Sequence, residues 1–121
     1  MPIIKVAYYK VNDDILVFSC KGHSGYAEYG SDIVCAAVSI LVINTINSIQ
    51  SFTKDSFEYG EDEAKGEILF YSTDIPSHDS QLLLNSLFLG LKGIQEEYGT
   101  KYIQIKQSDK KIFRDSTTRE V

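Results

Sequence analysis

Within the stretch GHSGYAEYGSDIVCAAVS, from Gly22 to Ser39, two side chains have the types and spacing for covalent chemistry together: His23 and Cys35. The chain has only two histidines and two cysteines, and one of each falls here. Ser31 and Asp32 are both residues that accept hydrogen bonds from the open amides of a helix's first turn. With Asp32 as N-cap, Cys35 is the third helical residue, where unpaired amides and the positive end of the helix dipole favour a thiolate over a thiol. His23 directly follows a strand, and a connection carrying Gly25 and Gly30 has the backbone freedom to bring its imidazole back over the helix start. A neutral imidazole there takes the thiol proton, holds it as imidazolium and returns it to a leaving amine, which is the chemistry of acyl transfer. Backbone amides near Gly22 and at the helix start are the candidate oxyanion donors.

Other roles compete for the same residues. Asp32 either caps the helix or orients His23. Ser39, one turn beyond Cys35 on the same face, bonds the thiolate, the imidazole or its own helix carbonyl. A cysteine near the start of an apolar helix is also an ordinary small hydrophobe. Cys20, His23 and Cys35, with His78 or Asp32, make up a donor set for zinc, but Cys20 and His23 are an odd number apart on what begins as a strand, so they point to opposite faces. A structural Cys20–Cys35 disulfide does not suit a reducing compartment. His78 belongs beside a helix cap, and Asp55, Glu58, Glu61, Asp62 and Glu63 form a solvated acidic turn to which no role is assigned.

The elements that must position these groups are legible from patterning. Ile3 to Tyr9 and Ile15 to Lys21 are rich in β-branched and aromatic residues around Asn12-Asp13-Asp14, which predicts a hairpin. The run from Ile33 to about Phe52 has neither Pro nor Gly, and its apolar positions cover most of a helical circumference, predicting burial on more than one side. Ser56 to Tyr59 and Glu67 to Thr73 read as a second hairpin around GEDEAKG. Ser77 caps a second helix that ends at Gly99, with Leu84, Leu87, Leu91, Ile94 and Tyr98 as its inward stripe. Gly90 and Gly93 within it predict close approach of another backbone. Tyr102 to Gln107 is a last strand. The order β-β-α-β-β-α-β gives an α+β domain, a mainly antiparallel sheet with two helices, over residues 1–107, followed by a polar tail, 108–121.

The 121 residues are enough for one hydrophobic core, and 43% apolar with 24% charged residues is the balance of a folded domain. A net charge of -5 argues against broad contact with a phosphate backbone and favours a basic polypeptide as partner. The amino-terminal MPIIKVAYYK lacks the pattern of a signal peptide, and the apolar run VCAAVSILVI is too short and too closely followed by Asn44, Asn47 and Gln50 to span a bilayer. A cytoplasmic protein with no membrane role is expected.

KGHSGYAEYGSDIVCAAVSIL resembles the signature of the ribosomal-processing cysteine protease family (Prp, or YsxB-like), in which Gly-His is followed by a loop, an Asp and then Cys-Ala-Ala-Val-Ser. Gly22, His23, Asp32, Cys35 and Ser39 match it, and the resemblance continues through QLLLNSLFLGLKGIQEEYG to the last strand. It implies that His23 and Cys35 are the catalytic dyad, supported by Gly22, Asp32 and Ser39, with no cofactor. It further implies a small cytosolic homodimer that removes the short amino-terminal extension of large-subunit ribosomal protein twenty-seven, cutting after an aromatic residue. Gly22, Gly25 and Gly30 would let the loop close over a docked peptide, and Tyr26 and Tyr29 either cover that peptide or pack. The tail from Ser108 lies outside the match. The competing class is a non-enzymatic ribosome-assembly factor that binds a ribosomal protein through its acidic surface and keeps Cys35 for packing.

Overall fold

The computed structural model describes residues 3–22, 31–62, 64 and 66–109. Seven elements follow in the order β1 (Ile4–Val11), β2 (Asp14–Lys21), α1 (Ser31–Phe52), β3 (Phe57–Asp62), β4 (Glu67–Ser72), α2 (His78–Tyr98) and β5 (Ile103–Gln107). The hairpin between β1 and β2 turns on two residues, Asn12 and Asp13, both at positive φ (52° and 71°). That mirror-type turn matches the twist of the strands it joins, and Asn and Asp tolerate it best after glycine.

The five strands form one sheet in the order β3-β4-β2-β1-β5. Three pairings are antiparallel and one, β1 with β5, is parallel, so the sheet is mixed but mainly antiparallel. The register stacks Ile4 on Ile103 and Val6 on Cys20 and Ile105, and then Cys20 on Ile68 and Phe18 on Phe70. These side chains form the sheet's side of the core. An irregularity between Tyr9 and Lys10 skips Leu16, so that Lys10 pairs with Ile15. The extra residue shifts the alternation by one, and Ile15 joins even-numbered Phe18 and Cys20 in the same buried cluster.

Both helices contribute to that cluster, α1 through Val34, Cys35, Val38, Val42, Ile46 and Ile49 and α2 through Leu84, Leu87, Phe88 and Leu91. Ser77 caps α2 as expected, its hydroxyl accepting from the Ser80 amide at 3.2 Å. Gly99 ends the helix at φ 107°, its amide donating to the Gln95 carbonyl. The inward stripe differs from expectation at its end: Tyr98 is exposed, because the buried face rotates through Gln81 and Phe88 instead. A Cβ at Gly90 would meet the Leu41 side chain at 3.0 Å, so α1 approaches there through a side chain rather than backbone, while Gly93 faces open space.

The expectation that α1 is buried on more than one side is not met within a single chain. Ile33, Ile40 and Ile43 are 46%, 68% and 41% exposed, so within one chain only one face is covered. The stretch Ile33–Phe52 is long and apolar enough to cross a membrane, contrary to the sequence estimate of its length. Its inner face is instead spent on the core of this domain.

Candidate active site

Gly22 follows the last residue of β2 and begins the connection to α1. Its φ of +94° is one that side-chain-bearing residues rarely adopt, and a Cβ there would lie 3.1 Å from the Ile3 carbonyl oxygen. Glycine is thus required twice over, by conformation and by space. The Gly22 amide donates to the Gly66 carbonyl at 2.7 Å, which fastens the turn between β3 and β4 to this point. That bond joins positions 44 residues apart (66 − 22), and nothing local in the sequence signals it. It also engages the Gly22 amide, so of the amides near Gly22 this one is not open as an oxyanion donor.

Cys35 lies across from this turn. Its thiol donates to the Gly22 carbonyl oxygen at 3.7 Å, so the sulfur sits at the peptide unit that leads directly into His23. The helix begins at Ser31, which makes Cys35 the fifth helical residue rather than the third and places Asp32 inside the first turn rather than at the cap. Helical Cα–Cβ bonds tilt toward the N-terminus, so a fifth-residue sulfur is carried back toward the first turn. At 9% exposure Cys35 lies at the margin of the core. Ser39 is half-buried one turn further along the same face.

The other cysteine is in a different state. Cys20 is wholly buried, and that burial, with a smaller contribution from negative charge on nearby Cys35, pushes its thiol up to about 12. Neither cysteine is in a disulfide. His78 is the first residue of α2, its side chain 88% exposed beside Asp79. Among the described residues no three of His, Cys, Asp and Glu gather as metal ligands. His23, Gly25, Tyr26, Tyr29, Gly30, Glu63, the side chain of Asp32 and the tail beyond Asp109 lie outside the described residues.

Asp55, assigned no role from sequence, has a structural one. Its carboxylate accepts from both the amide and the hydroxyl of Ser77 at 2.8 Å, tying the end of α1 to the cap of α2. Two open clefts, one lined by Lys54, Asp55, Phe57 and Tyr59 and the other by Tyr8, Lys10, Phe88 and Lys92, both lack Cys35 in their walls.

Residues 3–104 match the family of the cysteine protease Prp. The chain is 34% identical over 89 residues to the ribosomal processing cysteine protease Prp of Staphylococcus aureus, covering 74% of this chain and 80% of that protein. To its counterpart in Bacillus subtilis it is 30% identical over 88 residues, 69% and 79% of the two chains. The fold superposes on the crystal structure of the essential ribosomal processing protease Prp from S. aureus in complex with a substrate peptide. The TM-score is 0.81 at 26% identity, over 88% of this chain and all of that one. The same protease with a covalently linked product peptide gives a TM-score of 0.78 at 27% identity, again over 88% of this chain and all of that one.

Proposed function

The chain belongs to the cysteine protease Prp family and is a cysteine protease, and from that premise we propose that it processes a ribosomal protein with Cys35 as nucleophile and His23 as general base and acid. The observation that carries this reading is the Cys35 thiol held at 3.7 Å from the Gly22 carbonyl, over the first turn of α1 and at the peptide unit that continues into His23. His23 takes the thiol proton and Sγ attacks the scissile carbonyl. The developing oxyanion is received by open amides at the helix start, since that of Gly22 is committed to Gly66. The intermediate collapses to a thioester as the imidazolium protonates the leaving amine, and water then releases the acid. Gly22 fixes the turn, and Asp32 and Ser39 support the pair from the same helix. Gly25, Tyr26, Tyr29 and Gly30 belong to the loop that meets the peptide. No cofactor enters any step.

The substrate of this proposal is large-subunit ribosomal protein twenty-seven carrying a short amino-terminal extension, cut off in the cytoplasm during ribosome assembly. A net charge of -5 suits a basic ribosomal protein and disfavours direct contact with RNA. The enzyme acts as a homodimer. Ile33, Ala36, Ile40 and Ile43 follow one another at intervals of three and four along the outer face of α1, the spacing of a helix–helix seam, and all four are exposed in the single chain.

The test mixes the purified protein with the host's extended ribosomal protein and reads products by mass. One defined cut is expected from the wild type, and none from Cys35→Ala or His23→Ala in folded protein. Intact substrate after incubation with folded wild type overturns the assignment in favour of a binding factor.

A further inference from the structure

Cys20 is a nucleophilic group that the proposed mechanism leaves unused. It lies on the core face of β2, in register with Val6 on one side and Ile68 on the other. It precedes by two residues the Gly22 carbonyl that accepts the Cys35 thiol. Cys20 and Cys35 belong to one continuous buried cluster, and charge on Cys35 is felt at Cys20. Their access to solvent differs, with 9% of Cys35 exposed and none of Cys20. An oxidant therefore meets Cys35 first.

From this arrangement we infer that Cys20 is a resolving thiol for Cys35: when hydrogen peroxide oxidises Cys35 to a sulfenic acid, Cys20 captures it as an intramolecular disulfide and switches the peptidase off reversibly. The inference rests on Cys35 being the reactive thiol of the proposed function. In the first step the Cys35 sulfur attacks peroxide, an S–O bond forms, the O–O bond breaks and water leaves. In the second the Cys20 sulfur attacks the Cys35 sulfur, an S–S bond forms, the S–O bond breaks, and the departing hydroxide takes the Cys20 proton as water. The two thiols are oxidised and the peroxide is reduced. Without capture, a sulfenic acid proceeds to the sulfinic state, which ordinary thiols do not reverse. Transient disulfides of this kind are the ones cytosolic proteins use.

The test treats the full chain with a small excess of hydrogen peroxide at neutral pH, blocks remaining thiols with N-ethylmaleimide, and maps unreduced peptides by mass. Cleavage of the extended ribosomal protein is followed before and after dithiothreitol. The wild type is expected to give a Cys20–Cys35 linked peptide and to regain its activity on reduction. Cys20→Ala and the bulkier Cys20→Val, each checked for native melting, are expected to start with normal activity and to regain about tenfold less after the same treatment, with sulfinic Cys35 in the map. Sulfinic Cys35 at equal rates in wild type and variants, with no linked peptide, overturns the switch and leaves the protease assignment standing. A Cys35 that takes up neither peroxide nor alkylating reagent overturns both.

Discussion

A thiol pushed up to about 12 is protonated throughout the physiological range, and Cys20 is in that position because β2 turns it into the core. Cys35 lies instead at the core's margin, over the first turn of a helix. Iodoacetamide at pH 7 is therefore expected to label Cys35 alone in the folded protein, with Cys20 appearing only after denaturation, a difference that peptide mass mapping reads directly. Labelling of Cys20 first would contradict the assignment of roles. Cys35→Ala is expected to lower peptide cleavage by on the order of 10³ or more, without loss of fold, when turnover is measured against wild type. Gly22 is constrained more severely than a flexible-loop glycine. Gly22→Ala must hold φ at +94° and set a methyl 3.1 Å from the Ile3 oxygen, at a cost of about 1–3 kcal/mol in urea unfolding. The same substitution moves the carbonyl that positions the Cys35 thiol, so activity falls with it. The proposed pairing of His23 with Cys35 rests on residue types and on Gly-His ahead of the helix, His23 lying outside the described residues. The bond from Gly22 to Gly66 was not legible in the sequence, because it depends on where β4 lies in the sheet.

At the scale of elements, the helix caps and the first turn were written locally: Ser77 and Gly99 bound α2, and Asn12-Asp13 closes the first hairpin. The skipped Leu16 was hidden, since a shift in alternation needs a partner strand to define it. Gln81 was hidden for a related reason. The β2–β4 ladder ends at the Val17–Tyr71 pair, and Ile15 lies beyond it. The buried Gln81 amide serves in place of a neighbouring strand, its oxygen accepting from the Ile15 amide at 2.8 Å and its nitrogen donating to the Ile15 carbonyl at 2.9 Å. Gln81→Leu keeps the bulk but leaves both backbone groups unpaired, and a loss of about 2–4 kcal/mol is expected in denaturant unfolding. The Asp55–Ser77 tie gives the fold an acid-sensitive joint. Burial raises the Asp55 carboxyl, but hydrogen bonds from Ser80 and from the amide and hydroxyl of Ser77 outweigh it and hold it below its ordinary value. A depressed carboxylate contributes stability above its unfolded value of about 3.9, and that contribution is lost as pH falls through the folded value. Thermal melts of Asp55→Asn and wild type are thus expected to differ at pH 7 and to converge in strong acid. A gap that stays constant with pH would show that the carboxylate's charge plays no part.

For the whole molecule, the core accounts for only half of α1. Val34, Val38, Val42, Ile46 and Ile49 are sealed against the sheet and α2, while Ile33, Ile40 and Ile43 face outward. The proposed homodimer would cover this outer face, since one copy of the chain covers only the inner one. A second copy meeting the first across this face makes a self-complementary contact, which is what two-fold symmetry requires. The seam begins at Ile33, two residues before Cys35, so pairing would also brace the part of α1 that carries the nucleophile. Sedimentation analysis of the wild type is expected to give twice the mass of one chain. Ile40→Glu, which buries a carboxylate in the middle of the seam without touching the chain's own core, is expected to give a single chain that still melts cooperatively. A wild type that sediments as one chain at all concentrations, or an Ile40→Glu protein that remains paired, would remove the outer face of α1 from the interface.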